Sequence, residues 1–315
     1  MTHNDYALAL QQFGYSPREA SFVALAALHS GYFLTRQFNA QRGQATDRLC
    51  RKTMAFKHAT STAYKGGTRL YHLSGKTLYR ALGQADNRHR REQDSFHLRA
   101  KVMGLDYVLL NPEYRYLPTE QEKLEYFCGK LGIGREVLPT KTYEGERGSK
   151  TLRYFVDKYP VRIDPQTNAV AFCYVDDGVF TPPGFQTWMQ QYTPLITALG
   201  ASEIVYVATS GAVFGPAEKD FAKAFPVTDG AISPELLAFF EMRRAIEKRG
   251  PMGRTQDELN AYRRLSRRYA ARHFQLQFDL WKVAAEAPQS PRKVRFSTFV
   301  LPFSYAFFGS GLGAK

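Results

Sequence analysis

Cysteine is scarce in this chain: three residues, Cys50, Cys128 and Cys173, in 315. They are odd in number and far apart, which excludes a disulfide framework and a zinc-ligand cluster. No apolar run reaches the ~20 residues of a membrane span, because charge, Pro or Gly interrupts every hydrophobic stretch. The start, Met1-Thr2-His3-Asn4-Asp5, lacks the basic-then-apolar order of a secretory signal. The expected compartment is a reducing cytoplasm, with no membrane partner. No phosphate-binding glycine loop, metal-ligand cluster or Ser/His/Asp arrangement can be traced, so no cofactor is expected.

What is abundant is positive charge: 43 Lys and Arg face 29 Asp and Glu, a net +14. Residues 1–101 hold 16 basic and 6 acidic side chains, and residues 234–295 hold 14 and 7. Residues 151–233 reverse the balance, with 5 basic and 8 acidic. Two basic ends around a mildly acidic middle fit a polyanion footprint next to a differently employed domain. Charge alone does not separate DNA from RNA or an anionic membrane. With 44% hydrophobic and 14% aromatic residues the chain can build a packed core.

The N-terminal region supplies the discrimination. Ser16-Pro17-Arg18-Glu19 is a helix start, with Ser16 as cap and Glu19 three residues on. The run Phe22 to Leu28 reads as a buried helix ending near Gly31. A short helix follows at Thr35-Arg36-Gln37-Phe38, and a third over residues 45–59. In that third helix Thr46, Leu49, Cys50, Thr53 and Phe56 share a core face. Arg48, Arg51, Lys52, Ala55 and Ala59 lie opposite, with His58 beside them. Cationic donors among small residues suit a helix entering the major groove, although a solvated face presents the same stripe.

Ser61 to Tyr64, Lys65-Gly66-Gly67-Thr68 and Arg69 to Leu73 then read as a β-hairpin with a Gly-Gly tip. Lys65 and Arg69 flank the tip, and Ser74 is the expected cap of a helix over 76–82. Three helices, a basic-tipped hairpin and a closing helix give the order of a winged helix-turn-helix over residues 1–85. Winged helices also hold proteins, so an adaptor role stays open.

Residues 86–150 read as a basic helical linker and connector. Arg88, His89, Arg90, Arg91, Arg99 and Lys101 lie in a helix leading out of the first domain, and Arg90 and Arg91 are added to the candidate DNA contacts. Leu105–Pro118 reads as extended, and 119–131 as an amphipathic helix with Leu124, Phe127, Cys128 and Leu131 on one side. Residues 135–150 read as a loop or boundary.

A small α/β domain is expected over 151–232. Tyr154-Phe155-Val156 and Val161-Arg162-Ile163 read as strands, and Asn168 as a turn into the central strand Ala169–Val175. Asp176-Asp177-Gly178, a helix from Phe185 to Leu199 and the strand Glu203–Thr209 complete a right-handed crossover between parallel strands.

Pro160, Asp164, the strand ending in Asp176-Asp177-Gly178, Gln191-Tyr192 and Ile204-Val205-Tyr206-Val207 come in an order that resembles the replication-relaxation family of mobile-element and plasmid-mobilisation proteins. His97-Leu98 sits where that family has a comparable element, and the likeness spans about residues 15–225. It implies a winged helix followed by a domain related to the restriction-endonuclease fold. An active enzyme of that fold needs an acid on one strand and an acid-X-Lys unit on the next, to hold Mg²⁺ and activate water. Asp164 fits the first acid. Tyr174, however, stands where the likeness places a glutamate, and no lysine lies two residues beyond Asp176 or Asp177.

Residues 233–315 read as C-terminal helices and an aromatic tail. One helix spans Pro234 to Arg249, and a longer one Thr255 to about Ala285. In the second, Tyr262, Leu265, Tyr269, Leu276 and Leu280 form a heptad-like stripe for a helix of this chain or of a partner subunit. Arg263, Arg264, Arg267, Arg268 and Arg272 crowd the other side. The tail, Phe296–Phe308, is sticky unless it packs as a strand or docks on a neighbour.

The fold class expected is therefore mixed α+β and α/β. The leading function is sequence-specific binding of double-stranded DNA by a mobile-element protein. It would act as a homodimeric transcriptional regulator, or as an accessory factor beside a recombinase, relaxase or replication protein. The alternatives are a Mg²⁺-dependent nuclease using Asp164 and Asp176, and a protein-binding adaptor.

Overall fold

The computed structural model describes residues 3–39, 46–93, 95–144, 148–157, 159–178, 183–225, 233–249, 255–271, 274–275, 278–279 and 294–308. It is mixed α+β and divides into two units, Met1–Ala217 with Arg295–Lys315, and Glu218–Val294.

The first unit opens with helices α1 (His3–Gln11) and α2 (Pro17–His29). The Glu19 amide donates to Ser16 Oγ while Glu19 Oε2 accepts from the Ser16 amide, so the expected capping box forms. Strand β1 (Tyr32–Leu34), helices α3 (Thr35–Asn39) and α4 (Thr46–Ala55), and strands β2 (Ala59–Ala63) and β3 (Arg69–Leu73) follow. The hairpin forms as read, paired from Ala59–Leu73 to Ala63–Arg69, and β1 adds to its other side to give the antiparallel order β1-β3-β2. Gly66 and Gly67 take left-handed φ of 72° and 74° at the tip, where a side chain would be strained. Helix α5 (Lys76–Ala81) closes this region, and its N-cap position is Gly75 instead of Ser74.

Helix α4 stops four residues short of the expected end. His58 N donates back to Thr53 O, and Lys57 takes φ 55°, a left-handed helix stop that turns the chain into β2. Ala59 is consequently the first residue of a strand, buried and not on the outward helix face. Phe56, expected in the core, is 38% exposed beyond the helix end.

The connector is more ordered than its composition suggests. A 3-10 turn at Arg88–Arg90 precedes helix α6 (Ser95–Leu110), which occupies much of the stretch read as extended. Only Arg115–Tyr116 is a strand there, β4. Helix α7 (Glu120–Leu124) passes into a wider π-helical turn, Glu125–Lys130. Tyr126 and Phe127 of that turn are buried, as is Lys123 of α7, while Leu131 beyond it is 41% exposed. Residues read as a loop form a hairpin of β5 (Thr140–Glu144) and β6 (Lys150–Tyr154).

The main sheet joins β4, β7 (Val161–Ile163), β8 (Val170–Val175), β9 (Ser202–Ala208) and β10 (Val294–Val300) in the order β10-β9-β8-β7-β4. β7 runs antiparallel to β8, with Asn168 at φ 57° in the turn between them. β8 and β9 are parallel through helix α8 (Pro183–Leu199), as the crossover required. Every residue of β8 is buried because helices cover both faces. Ala171, Cys173 and Val175 meet Val102, Met103 and Tyr107 of α6. Phe172 and Tyr174 meet Phe185, Trp188 and Tyr192 of α8. The aromatic tail packs as an edge strand, with Leu301 and Tyr305 buried behind it.

Helix α9 (Phe214–Ala224) follows β9. In the second unit, α10 (Pro234–Arg249) packs on α11 (Gln256–Tyr269), which a Thr255–Glu258 capping box opens. Tyr262, Leu265 and Tyr269 join Leu236, Phe239 and Phe240 in one cluster, so this part of the stripe is covered within the chain. The helix ends at Tyr269; Arg272, Leu276 and Leu280 lie outside the described residues. Among the described residues no helix is long and apolar enough to cross a membrane.

Candidate nucleic-acid interface

Helix α4 separates its side chains by chemistry. Leu49, Cys50 and Thr53 are buried, while Arg48, Arg51 and Ala55 face solvent, with Met54 43% exposed among them. Among the described residues Arg51 donates through Nε to Asp47 O one turn back, and its side chain is exposed. Arg69 is exposed at the base of the hairpin tip. Lys65 opens the tip turn, but its side chain lies outside the described residues. Arg18, Lys57, Lys76 and Arg80 are further exposed cations of this region.

Three of the expected contacts are otherwise engaged. Lys52 Nζ donates to Glu19 Oε2 at 2.6 Å and to Gly14 O at 2.9 Å. Burial alone would raise the Glu19 pKa. The Lys52 ammonium and the Ser16 amide outweigh it, so the carboxylate titrates below its ordinary range. Lys52 therefore ties α4 to the α2 cap and does not reach outward. His58 is 1% exposed; its Nδ1 and the Tyr15 hydroxyl share a 2.9 Å hydrogen bond, and burial lowers its pKa. It is a core residue because the helix ends before it. Arg90 donates to Ala85 O and carries a buried Nε, so it braces its own turn.

Arg91 is exposed, but at the rim of a cavity of about 960 Å³ between the Arg88–Arg91 turn, α6, the β7 and β8 ends and α8. His97, read in the family-like element, also lines it. Within it Lys101 Nζ donates to His89 Nδ1 at 3.2 Å, and burial pushes the Lys101 pKa down to about 8.

The two acids of the nuclease alternative do not meet. Asp164 ends β7, accepts from the amides of Gln166 and Thr167, and stands beside Ala169 at the start of β8. Asp176 follows the far end of β8, seven residues beyond Ala169, or about 23 Å at strand rise. It is 4% exposed, with one oxygen accepting from the Tyr206 hydroxyl and the other from the Gly178 amide. Tyr174 is 5% exposed in the aromatic core. Among the described residues no group of three His, Cys, Asp or Glu is placed to hold a metal ion.

No family model, no curated protein and no solved structure matches this chain. The likeness to the replication-relaxation family therefore rests on the residues quoted for it.

Sequence reasoning missed two arrangements. Arg36 grips Asp106 through both nitrogens at 2.7 Å, and the Tyr305 hydroxyl donates to the same carboxylate at 2.6 Å. This joins α3, α6 and the tail, three segments whose proximity no local pattern announces. The second is the Lys101 cavity. Its cations belong to a basic run, and only burial sets Lys101 apart from its solvated neighbours.

Proposed function

We propose that this protein binds double-stranded DNA through a winged helix at its N-terminus, with α4 in the major groove and the β2–β3 tip on the phosphate backbone. The observation that carries the reading is the order helix, strand, helix, helix, hairpin, with Arg48 and Arg51 pointing away from the core on α4. Long donors on that face reach guanine edges and phosphates, and Ala55 lets the backbone approach the groove. Arg69 and Lys65 supply the sequence-independent phosphate contacts of the tip. The protein acts as a homodimer on a repeated site, in transcriptional control or as an accessory factor beside a recombinase, relaxase or replication protein of a mobile element. The family-like residues of the middle region support this setting.

Binding is tested by fluorescence anisotropy on duplexes from around the protein's own gene. Arg48→Ala and Arg51→Ala should each weaken the cognate site by about 1–3 kcal/mol while the melting temperature holds, because neither side chain packs on the core. Arg69→Ala should weaken all duplexes alike and lower the slope of log K against log salt by about one. Unchanged affinity in the Arg48→Ala, Arg51→Ala double variant would sink the proposal.

A further inference from the structure

The Lys101 cavity is lined by two chemically different groups of residues. One is cationic: Arg88 and Arg91 come from the turn that precedes α6, Lys101 from α6 itself, and Lys141 from β5. The Arg88 guanidinium lies over the Tyr143 ring, 4.3 Å from its centroid, so a planar cation–aromatic pair forms part of this group. A second group of lining residues is Tyr159, Trp188 and the Asp177 carboxylate. Asp177 is only 7% exposed, yet it borders this space.

Lys101 is the anomaly. It stands half-buried on α6, with its ammonium over the Tyr32 ring, 5.5 Å from the centroid. Among the described residues no carboxylate lies within ion-pair distance of it, although a partly buried ammonium is stabilised by one. Among the described residues its hydrogen-bond partner is the His89 imidazole. An anion is the missing counter-charge for a lysine so placed. Tyr159, Trp188 and Asp177 suit a flat ring whose N–H groups can donate to a carboxylate. At about 960 Å³ the space is ample for one such molecule.

We propose that this cavity is a binding site for a nucleoside phosphate, with the phosphate on Lys101, Arg91 and Lys141 and the base against Trp188, Tyr159 and Asp177. The nucleotide is either free or the unpaired end of a strand, since both present the same groups. The site is separate from the α4 face and does not depend on duplex binding.

Calorimetric titration of the full chain with guanosine and adenosine monophosphates, their nucleosides, and 5′-phosphorylated single strands tests this. Nucleotide binding should be at least tenfold tighter than nucleoside binding. Arg91→Ala and Lys101→Met should each weaken it tenfold or more, whereas the Arg48→Ala, Arg51→Ala double variant should leave it unchanged. Arg91 is exposed, so its variant separates lost binding from lost folding. Binding of mononucleotides identifies a free ligand; binding confined to phosphorylated strands identifies a strand end. The site is overturned if neither binds at millimolar concentration, or if both bind Arg91→Ala as tightly as the original chain.

Discussion

Lys52 and Glu19 show what a side chain gives up when it is recruited into the frame. Both lie among charged neighbours in sequence, yet their 2.6 Å contact is only 15% and 6% exposed. Hydrogen bonds to charged groups are worth about 1.5–3 kcal/mol each, so Lys52→Ala should destabilise the protein by about that much. The pH signature is separate. Because the folded Glu19 pKa lies below its ordinary 4.5, its contribution is present above that value and is lost as pH falls through the folded pKa. Chemical denaturation at pH 7 and pH 3 should show the Lys52→Ala penalty shrinking in acid. An equal penalty at both would mean that the loss comes from the Gly14 contact and packing and not from the charge of Glu19. The stripe Arg48–Arg51 was legible from helical spacing alone, but Lys52 was not. Whether a long cation turns outward or reaches 33 positions back to a cap depends on tertiary packing.

At the scale of elements, the strongest local signals were the readable ones. The capping box at Ser16, the Gly66–Gly67 hairpin, the apolar β8 run and the α8 crossover each follow from chemistry within a few residues. Elements whose limits depend on distant packing were not readable. Helix α4 ends on a non-glycine left-handed residue, Lys57. The β5–β6 hairpin hides in polar sequence, and α6 continues through residues that resemble a strand. One glycine holds two such elements together. Gly31, between α2 and β1, has φ +76°, and a Cβ there would stand 2.7 Å from both Cβ and O of His89. Gly31→Ala should therefore cost about 1–3 kcal/mol, roughly the cost of a strained backbone conformation, and should disturb the turn that carries Arg88 and Arg91. Thermal melts should show the drop. A variant as stable as the original would mean that the turn moves aside without cost.

For the whole molecule, charge and the two candidate sites have to be weighed together. The net +14 favours any polyanion, so affinity at low salt does not identify a site; response to pH does better. Lys101 provides that handle. It is faced by His89 from the preceding turn and by Tyr32 and His72 from β1 and β3, with His97 on its own helix and Asp177 in the lining of the same cavity. Burial lowers its pKa from 10.5 to about 8 in the folded chain. Between those values the unfolded chain holds the proton that the folded chain has released, so stability from this group rises with pH across the window. At neutral pH the folded protein carries the penalty of a partly desolvated ammonium. Lys101→Met, which keeps the stem's bulk and removes the charge, should therefore be more stable at pH 7 by about 1–3 kcal/mol, allowing for the solvent that the cavity admits. The difference should fade toward pH 10.5. The same variant should lose nucleotide binding, and in the original chain that affinity should fall as pH rises through about 8. A lysine that destabilises the fold while strengthening a ligand is retained for the ligand. Urea denaturation of both proteins at pH 7 and pH 10 decides the matter. A Lys101→Met chain that is less stable at pH 7, or whose difference ignores pH, would show that Lys101 serves packing alone.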